Sequence, residues 1–280
     1  MATKFKLGKG PAEHPLNSVK LRNYTAALAP APDTYNTPNL MTNLGLMLND
    51  TYGDCAIAGP GHQVQYWTSK AGKQYIIPDS DILKDYETIS GFVPGNENTD
   101  SGCVLVDVMD YWQKTGIGGH QIGGWASLTP PPTVSTHTSL WHRMFGDLFT
   151  KHKVGDDSDA WIADMKNALY YFEGATIGLQ LPVKLQDYTD QDTWDFVPDG
   201  SARSQPGGWG GHCVILIPGY DDTYCYLVSW GKVYKVSWRF LAAYMDEARV
   251  AISKDILSGD KSPEGFDYQA LDDAILARTA

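Results

Sequence analysis

The chain has 280 residues, 42% of them hydrophobic and 20% charged, with a formal charge of −11. That length buries a sizeable core, as one large domain or as two lobes sharing a cleft. The acidic balance, with no basic face, excludes nucleic acid as a partner. No apolar run is long enough to span a membrane, and "MATKFKLGKGPAEHPLNSVK" lacks the apolar core of a secretory leader.

Residues 1–42, rich in Pro, Asn and Ala ("LAPAPDTYNTPNL"), read as an extended arm lying over the body. Helical patterns follow. Cys55 to Ser69 carries apolar residues on one face. "PDSDILKDYETISGF" opens with Asp79 and Ser80 as caps, and "TDSGCVLVDVMDYWQKTGI" opens with Asp100 or Ser101 and stops at Gly116. "LTPPPTV" and "TKHKVGDD" read as loops. "DAWIADMKNALYYF" is another helix, capped by Ser158 or Asp159. After Gly174 the pattern changes to short runs of Val, Ile, Tyr and Trp: "ATIGLQLP", "HCVILIPGYDD", "YCYLVSWG" and "VYKVSW". These predict an antiparallel sheet. "RFLAAYMDEARVAI" is a helix or a mixed element. The order gives an α+β fold, with a helical lobe over about 43–173, a sheet lobe over about 174–258 and a capped surface helix over 259–280. A cleft between the lobes is the expected site.

Two residues carry the chemistry expected there. Cys55 stands at the start of a helix after the Gly53-Asp54 turn, where unpaired backbone N–H groups favour a thiolate. His212 follows Gly210 and Gly211 at the mouth of an apolar strand, exposed enough to reach across a cleft. Together they would form a thiolate–imidazolium pair, the imidazolium later protonating the leaving group.

With those residues in place, the chain resembles the papain-like cysteine peptidase superfamily. "GGHCVILIPGYDD" is similar to that family's His strand followed by Gly-Tyr, and "YLVSWG" to its Asn-Ser-Trp-Gly strand. "DSGCVLVDVMDYWQKTGI" is similar to its Gly-Gly helix, and "ALYYFEGATIGLQL" to the strand leading to the His lobe. The likeness runs from about Asn43 to Ile252 and extends to bacterial and phage-borne papain-like proteins. It implies a two-lobe fold and a peptidase or amidase with Cys55 as nucleophile and His212 as base. Asn49, in "NDTYGDC", takes the place of the oxyanion-hole Gln. Gly53, Asp54, Gly210, Gly211, Trp209 and Trp230 then line the cleft. Peptide or protein substrates are implied, without a cofactor. A second reading keeps the fold as a structural or binding module, such as a virion component whose arm contacts other chains; a cell-wall amidase is a third. The location implied is cytoplasmic or virion-associated.

Several positions depart from the family pattern. Val228 stands where the Asn that orients the histidine is expected, so Asp195 or Asp199 would have to replace it. Asp54 places a carboxylate beside the nucleophile, which opposes a thiolate. Ala56 replaces the usual Trp. His62, two turns after Cys55, reads as a packed histidine, His120 as a loop residue, and "DDSDAW" as helix capping rather than a calcium loop. The four cysteines (Cys55, Cys103, Cys213 and Cys225) lack zinc spacing and read as free thiols in a reducing compartment, with no metal centre.

Overall fold

The computed structural model describes residues 5–15, 18–26, 28–36, 40–131, 156–189, 191–253, 266–269, 271 and 273. A six-stranded, wholly antiparallel sheet forms its centre: β1 (Ile122–Ser127), β2 (Ala175–Leu181), β3 (Gly210–Tyr220), β4 (Tyr224–Ser229), β5 (Lys232–Ser237) and β6 (Met245–Ser253). The spatial order is β1-β6-β2-β3-β4-β5. The helices are α1 (Arg22–Thr25), α2 (Cys55–Lys70), α3 (Asp79–Ser90), α4 (Leu105–Lys114), α5 (Asp156–Phe172) and α6 (Trp238–Tyr244). The fold is α+β.

Strand β3 shows how the sheet separates two cores. Successive side chains on a strand point to opposite faces. Cys213, Ile215 and Ile217 join the apolar cluster built with α2, α3 and α4, whereas Val214 and Leu216 join the one built with α5 and α6. Between the sheet and its neighbouring helices, α2 is enclosed: every residue from Cys55 to Thr68 is buried. A helix apolar or small all round belongs in such a position. Its Gly59 lets the backbone approach β3, since a Cβ there would lie 3.2 Å from Cys213 Sγ.

The strands after Gly174 and the helix cores fall where the periodicity puts them, but several ends differ. Pro78 and Val104, neither offering a side-chain acceptor, precede α3 and α4; Asp79 lies inside the first helical turn. Asp100 is used elsewhere, as described below. Ser158 and Asp159 lie within α5, which starts at Asp156. "RFLAAYMDEARVAI" divides into α6 and β6. The glycine-rich run around His120 leads into a strand, β1, that pairs with β6, so the helical half contributes an edge to the sheet. Residues 132–155, which include most of the two expected loops, lie outside the described residues. In the tail, Phe266, Tyr268 and Leu271 are buried in the core. No described helix is long and apolar enough to cross a membrane.

Candidate active site

Gly53 turns the chain into α2. Its N–H donates to Asp100 Oδ1 at 2.9 Å, and Tyr86 donates to the same oxygen at 2.6 Å. This carboxylate fixes the turn that presents Cys55. The Cys55 sulfur accepts two backbone N–H groups, from Cys213 at 3.4 Å and from Gly8 at 3.3 Å. It therefore sits against the residue that follows His212, between helix α2 and strand β3, while neither ring nitrogen of His212 is hydrogen-bonded to it.

His212 is fully buried. Its Nε2 lies 2.7 Å from Ser229 Oγ, while Nδ1 is buried without a hydrogen-bond partner. The bond to Ser229 fixes the ring, and with Nε2 as its donor Nδ1 is left bare, the form a general base requires. Ser229 thus holds the ring that Val228 cannot hold. Val228 points into the core under α2. Neither acid proposed as a substitute is there: Asp195 is bound by Arg239, and Asp199 by Lys184, Ser201 and Ser204. Trp230 stacks on His212 at 4.6 Å and 16° and walls the imidazole, and Trp209 stacks in turn on Trp230 at 5.6 Å. Trp230 adopts φ +46°, a strained conformation for a bulky residue, held by these stacks.

Asn49 and Asp54 form a unit beside the sulfur. The Asn49 amide donates to Asp54 Oδ1 at 3.2 Å and to the Tyr52 carbonyl at 3.4 Å, so both its protons are engaged. Asp54 is fully buried, and its Oδ2 has no partner. Burial pushes its carboxyl well above the usual range, only partly countered by the Asn49 amide. Burial thus disfavours a negative charge on this carboxyl next to Cys55. Burial also raises the Cys55 thiol to about 12, against the opposing pull of the two N–H groups, and lowers His212 to about 3. In this state the pair is thiol and neutral imidazole.

The N-terminal arm runs over this site and adds to the burial of Cys55. Gly8 O accepts from Cys103 N at 2.8 Å, Gly10 N donates to Cys103 O at 2.8 Å, and Lys9 N donates to Gly211 O at 3.1 Å. Phe5 stacks on Trp230 at 4.7 Å and 12°, Leu7 rests against Gly210, and Lys6 pairs with Asp100 at 3.1 Å. The cleft residues Gly53, Gly210 and Gly211 thus face the arm. The Lys9 side chain is completely buried, its ammonium 3.0 Å from Asp246 and 2.9 Å from Glu247. Sequence reading assigned no role to Lys9, Asp246 or Glu247, and offered Asp100 only as a helix cap and Ser229 only as part of the "YLVSWG" strand; the one visible signal for the lysine was "LGKG", a lysine between two glycines.

The remaining singled-out residues lie elsewhere. His62 is buried in α2, 3.3 Å from the Gly45 carbonyl and lowered by burial to about 4. The His120 ring packs on Tyr75, and its carbonyl accepts from Trp112. All four cysteines are free thiols, and no group of three metal-binding side chains occurs among the described residues.

Solved structures settle what this architecture is. Xylellain, a cysteine protease from Xylella fastidiosa, superposes with a TM-score of 0.58 over 90% of this chain and 97% of its own, at 12% identity. The fold is papain-like. The ragweed pollen cysteine protease Amb a 11, in its proform, is similar over 90% of this chain and 76% of its own, with a TM-score of 0.54 and 12% identity. No protein-family model and no curated protein matches the chain by sequence. At these identities the papain-like likeness concerns the backbone path; the chemistry rests on this chain's own residues.

Proposed function

We propose that this chain is a papain-like thiol hydrolase, a peptidase or amidase, held latent by its own N-terminal arm. The observation that carries the reading is the seating of Cys55 Sγ, at the N-terminus of α2, on the N–H of the residue after His212. With the arm withdrawn, the sulfur regains water and the field of the helix N-terminus, both of which favour a thiolate. His212, held by Ser229, takes the proton through Nδ1; the thiolate attacks a substrate carbonyl carbon; and the imidazolium protonates the departing amine. The Cys55 backbone N–H, with Asn49 once released from Asp54, would hold the oxyanion.

The arm itself is seated unproductively. The sulfur accepts the Gly8 N–H and so lies near the plane of that peptide, whereas attack on a carbonyl proceeds from above the plane. The Gly8 carbonyl is meanwhile bound by Cys103.

A second reading has an observation of its own. A buried thiol raised to about 12 and an oxyanion donor with both protons engaged also suit a fold kept as a structural or binding module. Covalent capture separates the two. An epoxide or acyl probe should label Cys55 in an arm-displaced Gly8→Ala protein and leave Cys55→Ala unlabelled. Absence of labelling with the fold intact and the arm displaced would favour the module.

A further inference from the structure

The body of the protein is shaped around three residues of the arm, beyond what covering a nucleophile needs. Strand β6 carries a bulge: Gly178 pairs with Glu247 and Leu179 with Met245, leaving Asp246 as the extra residue. A bulge re-aims side chains. Here it lets consecutive acids, which a regular strand would send to opposite faces, converge on one ammonium. Gln180 donates to Asp246 Oδ2 at 2.6 Å, and Arg249 donates to Glu247 Oε2 at 2.7 Å, so both carboxylates are held in place from behind. Asp246 Oδ1 is buried with no hydrogen-bond partner.

Opposite the acids, β2 offers Gly178. A Cβ there would lie 2.0 Å from Lys9 Cε, so the strand leaves out a side chain where the lysine stem runs. Two further glycines give room to the backbone on either side. A Cβ on Gly102 would meet Gly8 O at 1.9 Å, and one on Gly211 would meet Lys9 O at 2.3 Å. This trough takes a main chain with no side chain before the lysine, then a four-carbon stem ending in a compact cation.

We infer that the pocket of Gly178, Gln180, Asp246 and Glu247 is a recognition site for a lysine side chain of another polypeptide, read within a Gly-Lys-Gly context, and that Lys9 is its resident surrogate. The inference deepens the reading of the same cleft given above. The physical ground is that the acids are preorganised and Glu247 is fully enclosed. When the arm leaves, these carboxylates lose the cation that compensates their burial. A chain that displaces the arm must therefore bring a cation of its own to the same depth. An apolar or acidic residue leaves the acids uncompensated, and arginine brings a planar fork in place of the compact ammonium on which both acids converge.

The test uses the full-length Lys9→Ala protein, whose pocket is vacated, and titrates it with the peptide acetyl-Leu-Gly-Lys-Gly-amide against analogues carrying norleucine, arginine or glutamate at the lysine position. The lysine peptide should bind at least ~10-fold more tightly than the others, and Glu247→Gln added to Lys9→Ala should abolish the difference. Equal affinities, or no binding by a protein whose circular dichroism is native, overturn the inference. Should Lys9→Ala fail to fold, Gly8→Ala, which removes the arm by steric clash and leaves the pocket intact, takes the same peptides. Binding does not need turnover. If lysine peptides bind while Cys55 is never captured by the probe, the hydrolase reading falls and the recognition site stands. If Cys55 is captured while the peptides bind alike, the reverse holds.

Discussion

Replacing Gly8 by alanine tests the seating of the arm with a single methyl group. A Cβ at Gly8 would lie 1.6 Å from Gly53 O, 2.2 Å from Gly53 C and 2.6 Å from its Cα. These are backbone atoms at the start of α2, fixed by the bond from Gly53 N–H to Asp100. They cannot yield by more than a few tenths of an ångström, so the arm must leave. The sulfur then loses the cover that raises its thiol to about 12. At about pH 8 a thiol of that pKa is ionised to roughly one part in 10⁴, while an ordinary cysteine near 8.5 is ionised to about one quarter. The rate of alkylation by iodoacetamide, followed at Cys55 by mass spectrometry, should therefore rise by on the order of 10³-fold in Gly8→Ala. Steric unblocking adds to that factor. A rate within about tenfold of the parent protein, with an unchanged melting transition, would refute the account of the arm as a cover that adds to the burial of the thiol.

Other expectations follow from the same geometry. Ser229→Ala leaves His212 Nε2 buried without its partner and should cost about 1–3 kcal/mol of stability by denaturant titration. In an arm-displaced protein it should also slow covalent capture of Cys55. Asp54→Asn should cost less than Asp54→Ala by denaturant titration, because burial disfavours the charged carboxylate and an amide oxygen can still accept from Asn49, whereas alanine strands the Asn49 amide at a cost of about 1–3 kcal/mol. His62 stays neutral in the folded state down to about 4, while an unfolded histidine takes up a proton below about 6.5. Folded-state pKa is depressed, so stability falls as the pH drops through that window. Between about pH 7 and pH 4.5 the parent protein should lose roughly 2.5 kcal/mol more than His62→Gln, measured by urea titration at the two pH values. Lys9→Ala strands Asp246 and Glu247 and should cost about 3–5 kcal/mol near neutral pH. Burial already raises Glu247 above its ordinary value, so the loss should shrink as the pH falls and that carboxyl takes a proton.

The architecture was readable because its signals are local. Alternating Val, Ile, Tyr and Trp in 210–237 encode strands, and "GDC" followed by a long helical run encodes the turn into α2. What escaped was set by contacts across long separations. Ser229 is only one residue from the position where an asparagine was sought, and the alternation of side chains along β4 sends Val228 into the core and the serine to His212. Strand β1 was hidden in a glycine-rich run because Gly123 and Gly124 weaken the alternation; its pairing with β6, more than a hundred residues away, makes it a strand. Asp100, read as a helix cap, holds the turn before Cys55, bonding Gly53 47 positions back. Lys9 and Asp246, the nearer of its two acids in the chain, are 237 residues apart, and no pattern in either segment announces the other.

The edge strand β1 has a mechanical consequence. It rises from the helical half yet is laced to β6, and the arm in turn is tied to its far end, where Leu21 N–H donates to Ser127 O at 3.0 Å and Ser127 N–H to Val19 O at 2.8 Å. The two halves are thus sewn along a common seam and cannot swing apart like jaws. Access to the thiol is set by how readily one short ribbon, residues 5–10, peels away from a stationary frame while its downstream stitching at 19–21 stays in place. A force or a competitor acting on that ribbon alone would unlock the interior without loosening either core.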